Sequence, residues 1–205
     1  TLLHDDLIDG SLLRRGKKTA NNLWGNSASV LVGDFLYSRA FQLITQINNS
    51  RVLASLANAT NILSQSEILQ LLSCHNTNID ETYCLKIIQG KTGTLFSIAA
   101  EQAAILSHRT EEEISAMANY GLHLGIAFQL VDDALDYSGS TLRLGKRQGD
   151  DLAEGKPTLP LIYALQRANA EQGQLIQKAI SSGGQEHLAA VIAIIKSTKA
   201  IEYTH

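Results

Sequence analysis

Residues 121–139 read GLHLGIAFQLVDDALDYSG, an apolar stretch closing on three aspartates. Upstream, Thr110 is followed by Glu111, Glu112 and Glu113, a capping box with acid in the first turn. The spacing predicts one long helix from there to Tyr137. Asp132 and Asp136 then stand about 40° apart on one helical face, with Asp133 beside them. The same D-D-x-x-D spacing occurs at Asp5, Asp6 and Asp9, in LLHDDLIDG. Three like charges within about one turn repel, so a cation should compensate. Carboxylates without His or Cys point to Mg2+, or Mn2+, rather than zinc. Mg2+ keeps several waters and bridges one or two carboxylates to phosphate oxygens. Two such clusters suit a diphosphate held through more than one ion. A solvated acidic face is the plain alternative for either cluster alone, and the repeated spacing inside apolar helices speaks against it.

Helical periodicity extends outward from this stretch. Ser27–Ile47 is apolar nearly all round, which predicts a helix buried inside a bundle. Further helices are expected over Val52–Leu72, over Asp80–Leu106 with Asp80 as N-cap, over Pro160–Ala170 and over His187–Lys199. Gly10–Asn26 reads as a polar break and Ser138–Gly155 as a charged loop. The only prolines are Pro157 and Pro160, so nothing interrupts a helix before them. No alternating strand run recurs. The 205 residues are therefore expected to form one all-α domain, 1–205.

Composition narrows the classes. A net charge of −3 gives no basic field for nucleic acid. Two cysteines, Cys74 and Cys84, make neither a disulfide framework nor a cysteine-built zinc site, and fit a reducing cytoplasm. No uninterrupted apolar run approaches the roughly 20 residues that span a bilayer, and no signal peptide is visible. Cations stand where a phosphate site would use them: Arg14 and Arg15 after the first cluster, Lys91 with Thr92 in IQGKTGTLF, and Lys146 and Lys156 around the acidic loop. Each is individually a plausible surface charge; their company gives them weight. KTGT lacks the upstream glycines of a phosphate-binding P-loop.

At these residues the chain resembles the trans-type polyprenyl diphosphate synthases, most closely the long-chain octaprenyl and solanesyl enzymes. LLHDDLIDGSLLRRGKKTANNLWGNSASVLVGDFLYSRAFQL is similar to the first aspartate-rich region, GLHLGIAFQLVDDALDYSG to the second, and GKRQGDDLAEGKPTLPLI to the loop that follows. The resemblance implies an isoprenoid synthase-type helical bundle around a deep central cavity, normally a homodimer. It implies head-to-tail elongation, in which an allylic diphosphate (farnesyl or geranyl) ionises as Mg2+ draws off its diphosphate, isopentenyl diphosphate attacks, and a proton leaves. A long all-trans polyprenyl diphosphate results, a quinone side-chain precursor directed to membranes from a cytoplasmic enzyme.

By the same resemblance, Asp5, Asp9 and Asp132 are the expected direct Mg2+ ligands, with Asp6, Asp133 and Asp136 as further ligands or their supports. Arg14, Lys91, Thr92, Gln129, Lys146 and Lys156 would face the allylic diphosphate, and Arg15 the isopentenyl diphosphate. Arg14 and Lys91 join Asp5, Asp9 and Asp132 as the catalytic set. Glu67 matches a position that contacts metal-bound water, although Ser66 replaces the usual glycine. The upstream Gly-Gly-Lys-x-x-Arg segment does not occur here, so the chain reads as the central part of a longer helical domain. Small Thr1, four residues before Asp5, favours a long product, and Phe35, Tyr37 or Phe41 would floor the cavity.

Three other readings compete. Class I terpene cyclases usually carry an Asn/Ser/Glu metal motif where this chain has Asp132–Asp136. Non-catalytic synthase subunits tend to lose aspartates that are intact here. A helical scaffold would not need the Arg and Lys placement.

Overall fold

The computed structural model describes residues 2–14, 16–138 and 148–205, with Gln185 through its backbone only. Thr1, Arg15 and Lys146 lie outside the described residues. Two compact units can be distinguished, one taking in residues 2–54 and the other residues 55–138 and 148–205.

In the first unit, α1 (Leu2–Ile8) carries the first aspartate cluster, and α2 (Ala20–Trp24) and α3 (Asn26–Thr45) pack with it. The stretch read as a polar break instead forms a small antiparallel hairpin, β1 (Leu13–Arg14) with β2 (Lys17–Lys18), followed by α2. Four ladder residues are too few to show an alternating pattern. Helix α3 departs from the expectation of burial. Its buried residues are the small Ser29 and Gly33, while Leu31, Phe35 and Leu36 are 67%, 64% and 54% exposed. The small residues admit α1 closely: Ser29 Oγ donates to the Leu3 carbonyl at 2.9 Å, and His4 Nε2 lies 3.1 Å from the Val30 carbonyl. The large side chains are left pointing away. Phe35 and Tyr37, two of the candidate cavity-floor residues, are exposed.

Helix α4 (Ser50–Ser73) runs from the first unit into the second. Next come α5 (Glu81–Ile88), a single π turn (Gln89–Gly93), α6 (Thr94–Leu106) and α7 (Glu111–Ser138). Asp80 caps α5 by accepting from the Tyr83 N–H, as its position predicts. The capping box of α7 forms as read, with Thr110 N–H donating to Glu113 Oε2 and Glu113 N–H to Thr110 Oγ1. The 28-residue α7 is long and apolar enough to cross a membrane by length and composition. Only 17% of its apolar window is buried, and Asp132, Asp133 and Asp136 occupy its last two turns.

Five α-helices follow among the described residues: the short α8 (Asp150–Ala153), α9 (Leu159–Arg167), α10 (Ala170–Ser182), α11 (Leu188–Ser197) and α12 (Ala200–Thr204). Helix α10 is absent from the sequence expectation. Its stretch is polar, with only Ile176, Ala179 and Ile180 buried, and its start is fixed by a capping box between Asn169 and Gln172. Tyr137, Leu152, Leu161, Ile176, Ile180 and Ile195 form the centre of the core and anchor the end of α7 to α8–α11. Each such side chain contributes roughly 1.5–3 kcal/mol by leaving water. That core holds the second aspartate cluster in position.

Candidate functional site

The π turn has a direct chemical consequence. A π turn inserts an extra residue into a helix and re-aims the side chains around it. Here it carries Lys91 and Thr92. Lys91 Nζ donates to Glu67 Oε2 at 2.9 Å and to Gln70 Oε1 at 2.6 Å, both on α4. Thr92 Oγ1 donates to Gln129 Oε1 at 2.8 Å, and Gln129 Nε2 donates to Asp133 Oδ1 at 2.8 Å. Five residues that the resemblance implies for the site (Glu67, Lys91, Thr92, Gln129 and Asp133) thus fall into two short chains of bonds. Gln70 was not selected. It lies one turn after Glu67 on the same helical face, and that i, i+3 spacing was the available signal. Ser66 is buried, with its hydroxyl turned back onto the Ile62 carbonyl at 2.9 Å.

The second cluster is electrostatically loaded. Burial pushes the Asp133 carboxyl up to about 7, opposed by the Gln129 hydrogen bond and assisted by Asp132 and Asp136. Burial likewise pushes Asp136 up to about 6, although backbone N–H groups relieve it. Gly149 N–H donates to Asp136 Oδ1 and Asp151 N–H to Asp136 Oδ2, each at 3.2 Å. Burial, then Asp133 and Asp136, raise Asp151 well above the usual carboxylate range. Lys156 pairs with Glu154 and lowers both Asp133 and Asp151. Asp150 and Asp151 were not selected from sequence, where they read as loop charge.

In the first unit, Asp6 is buried and accepts from Arg14 Nε at 2.7 Å. Asp5 and Asp9 are half-buried on the same short helix, as is Asp132 on α7. Asp6, Asp133 and Asp136 are therefore held by protein donors. Among the described residues no group of three or more His, Cys, Asp or Glu side chains is already gathered as an ion cage. Mg2+ does not require one, since it takes one or two carboxylates and completes its shell with water and phosphate. The donor set, carboxylate oxygens without imidazole or thiolate, fits that ion. Buried Cys84 is no candidate nucleophile, because burial pushes its thiol up to about 12.

The chain is similar to known proteins along nearly its whole length. The family profile described as polyprenyl synthetase matches residues 1–197. The chain is 49% identical over 204 residues to octaprenyl diphosphate synthase of Haemophilus influenzae, covering 99% of this chain and 62% of that protein. It is 46% identical to the Escherichia coli octaprenyl diphosphate synthase, covering 100% and 64%. Among solved structures, polyprenyl synthase from Caulobacter crescentus CB15, complexed with calcium and isoprenyl diphosphate, superposes with a TM-score of 0.94. It shares 43% identity over 99% of this chain and 62% of that one. Decaprenyl diphosphate synthase from Rhodobacter capsulatus gives a TM-score of 0.92 at 42% identity, covering 99% and 63%. The chain spans less than two thirds of the length of these relatives. Its helices follow theirs, and both aspartate motifs, the Lys-Thr π turn and the Lys156 loop lie inside the matched residues: this chain belongs to the polyprenyl synthetase family.

Proposed function

We propose that the protein is a Mg2+-dependent trans-polyprenyl diphosphate synthase that condenses isopentenyl diphosphate with farnesyl or geranyl diphosphate. Its product is a long all-trans polyprenyl diphosphate, a quinone side-chain precursor made in the cytoplasm and directed to membranes. The observation that carries this reading is the convergence of Lys91 and Thr92 with Glu67, Gln70, Gln129 and Asp133. It is supported by the names of the octaprenyl diphosphate synthases at 46–49% identity.

Mg2+, or Mn2+ in its place, supplies charge to the departing diphosphate. Asp5, Asp9 and Asp132 take the direct ligand roles, with more than one ion engaged. Asp6, Asp133 and Asp136, each bound by a protein donor, orient them or complete the set. Lys91, with Glu67 and Gln70 fixing its ammonium, offers a charged donor to the allylic diphosphate, and Thr92, Gln129, Arg14, Lys146 and Lys156 add further donors. Arg15 takes the isopentenyl diphosphate. An apolar row on α7 suits the growing chain. Val131, Phe128, Leu124, Tyr120 and Met117, all exposed, recede from Asp132 at three- and four-residue intervals. They cover about 21 Å at 1.5 Å per residue. A cavity closed over this row would keep water from the allylic cation. The exposed apolar face of α3 suits a second copy of the chain, giving a homodimer.

Incubation with farnesyl diphosphate, isopentenyl diphosphate and Mg2+, followed by sizing of the extracted lipid, tests the reading. A long polyprenyl product is expected. No incorporation of isopentenyl diphosphate would defeat it, and a cyclic hydrocarbon formed without that substrate would favour a cyclase.

A further inference from the structure

We propose that His75 is a positioning residue for Lys156, a role that rests on reading Lys156 as a contact of the allylic diphosphate. Helix α4 ends at Ser73, and His75 follows in the left-handed region at φ 62°. At such a helix end the N–H normally turns back onto a carbonyl of its own helix. The His75 N–H instead donates to the carbonyl of Gly155 at 2.8 Å. Its ring makes a second distant bond, from Nδ1 to the Ile180 carbonyl at 3.0 Å. A carbonyl only accepts, so Nδ1 carries the proton. The ring also lies against Gly155 itself, at φ 67°, where any Cβ would collide with Nδ1. One residue thereby ties the end of α4 to Gly155 and to the last turn of α10.

Gly155 immediately precedes Lys156. The Lys156 N–H donates to the Asp151 carbonyl at 2.9 Å, and its ammonium pairs with Glu154. The short run from α8 to Lys156 is therefore pinned from within by Asp151 and from outside by His75. On the same helix, Glu67 and Gln70 hold Lys91. The last two turns of α4 and the residue that caps them thus set the positions of two diphosphate lysines that are far apart in sequence. Glycine or asparagine is the ordinary occupant of a left-handed helix end and takes that backbone with less strain. Histidine adds a ring donor that glycine lacks.

Three variants of the full chain test this. His75→Gly keeps the backbone conformation and removes the ring bond. His75→Asn keeps the conformation and sets an amide N–H where Nδ1 stood. Lys156→Ala calibrates the lysine. The measurements are amide exchange over residues 150–156, affinity for Mg2+ with inorganic pyrophosphate, KM for each substrate, and Tm. For His75→Gly we expect exchange at Gly155 and Lys156 to rise roughly tenfold. Pyrophosphate should bind more weakly, and allylic KM should rise about five- to twentyfold, with isopentenyl KM little changed. His75→Asn should recover most of this. Wild-type exchange and allylic KM in His75→Gly would overturn the proposal, as would equal rises in both KM values with a large fall in Tm. If Lys156→Ala weakens pyrophosphate binding and His75→Gly does not, the His75 role alone fails. If Lys156→Ala leaves both pyrophosphate affinity and allylic KM at wild type, the diphosphate reading of Lys156 fails and takes the His75 role with it.

Discussion

At the residue scale, Lys91 shows how far side-chain identity carries. The Lys-Thr pair was readable from sequence, and so was Glu67. The resemblance implies a contact of Glu67 with metal-bound water, and the fold adds a bond from Lys91 to its Oε2. Both side chains are about one quarter exposed, at 24% and 23%. Lys91→Ala would leave a partly desolvated carboxylate, at about 1 kcal/mol once solvent screening is allowed for. Urea unfolding checks that figure, and turnover should fall far more than stability. Asp5→Ala and Asp132→Ala should each cut turnover by several orders of magnitude with helical content retained. Near-normal turnover in either variant would rule out metal delivery by both clusters.

At the scale of elements, the clear helices were those whose signals are local. Asp80, Thr110 and Glu113 cap where their types and spacing predict, because a cap bond reaches only three residues. Helix α10 was missed for its polar stretch, and the hairpin for its brevity. The π turn was unreadable, since nothing in QGKTG separates it from ordinary helix. Close approach of α6 and α7 depends on Gly121, where a Cβ would meet the Phe96 carbonyl oxygen and lie 2.9 Å from Ser97 Cα. These are backbone atoms that cannot rotate away. Gly121→Ala should therefore destabilise by about 1–3 kcal/mol, read as a lowered Tm. An unchanged Tm would mean that the two helices slide without cost.

At the scale of the whole molecule, the raised carboxylates set a pH dependence. Asp133 and Asp136 stand at about 7 and about 6, against about 3.9 in an unfolded chain. Between about pH 4 and 7 the native state holds more protons than the unfolded one, so stability falls as pH rises through that window. The metal-free protein should melt higher at pH 5 than at pH 8. Mg2+ with pyrophosphate should raise the pH 8 value more than the pH 5 value. A flat profile in calorimetry would contradict the buried charge. Assembly is the second molecular prediction. Phe35 is 64% exposed on α3, and Phe35→Glu should shift the sedimentation of the proposed homodimer to that of a monomer while circular dichroism is unchanged.

Sequence alone determined the all-α class, most helix boundaries and the spacing of the two aspartate clusters. Those follow from periodicity and spacing over a few residues, which a helix converts directly into faces and ends. Only the tertiary structure decided which groups meet. Lys91 and Gln70 are 21 positions apart and His75 and Ile180 are 105 apart. It also decided that α3 turns its large apolar side chains outward, because Ser29 and Gly33, not the bulky residues, admit α1. No local pattern encodes such pairings, since they depend on which helix faces close on one another as apolar surface leaves water.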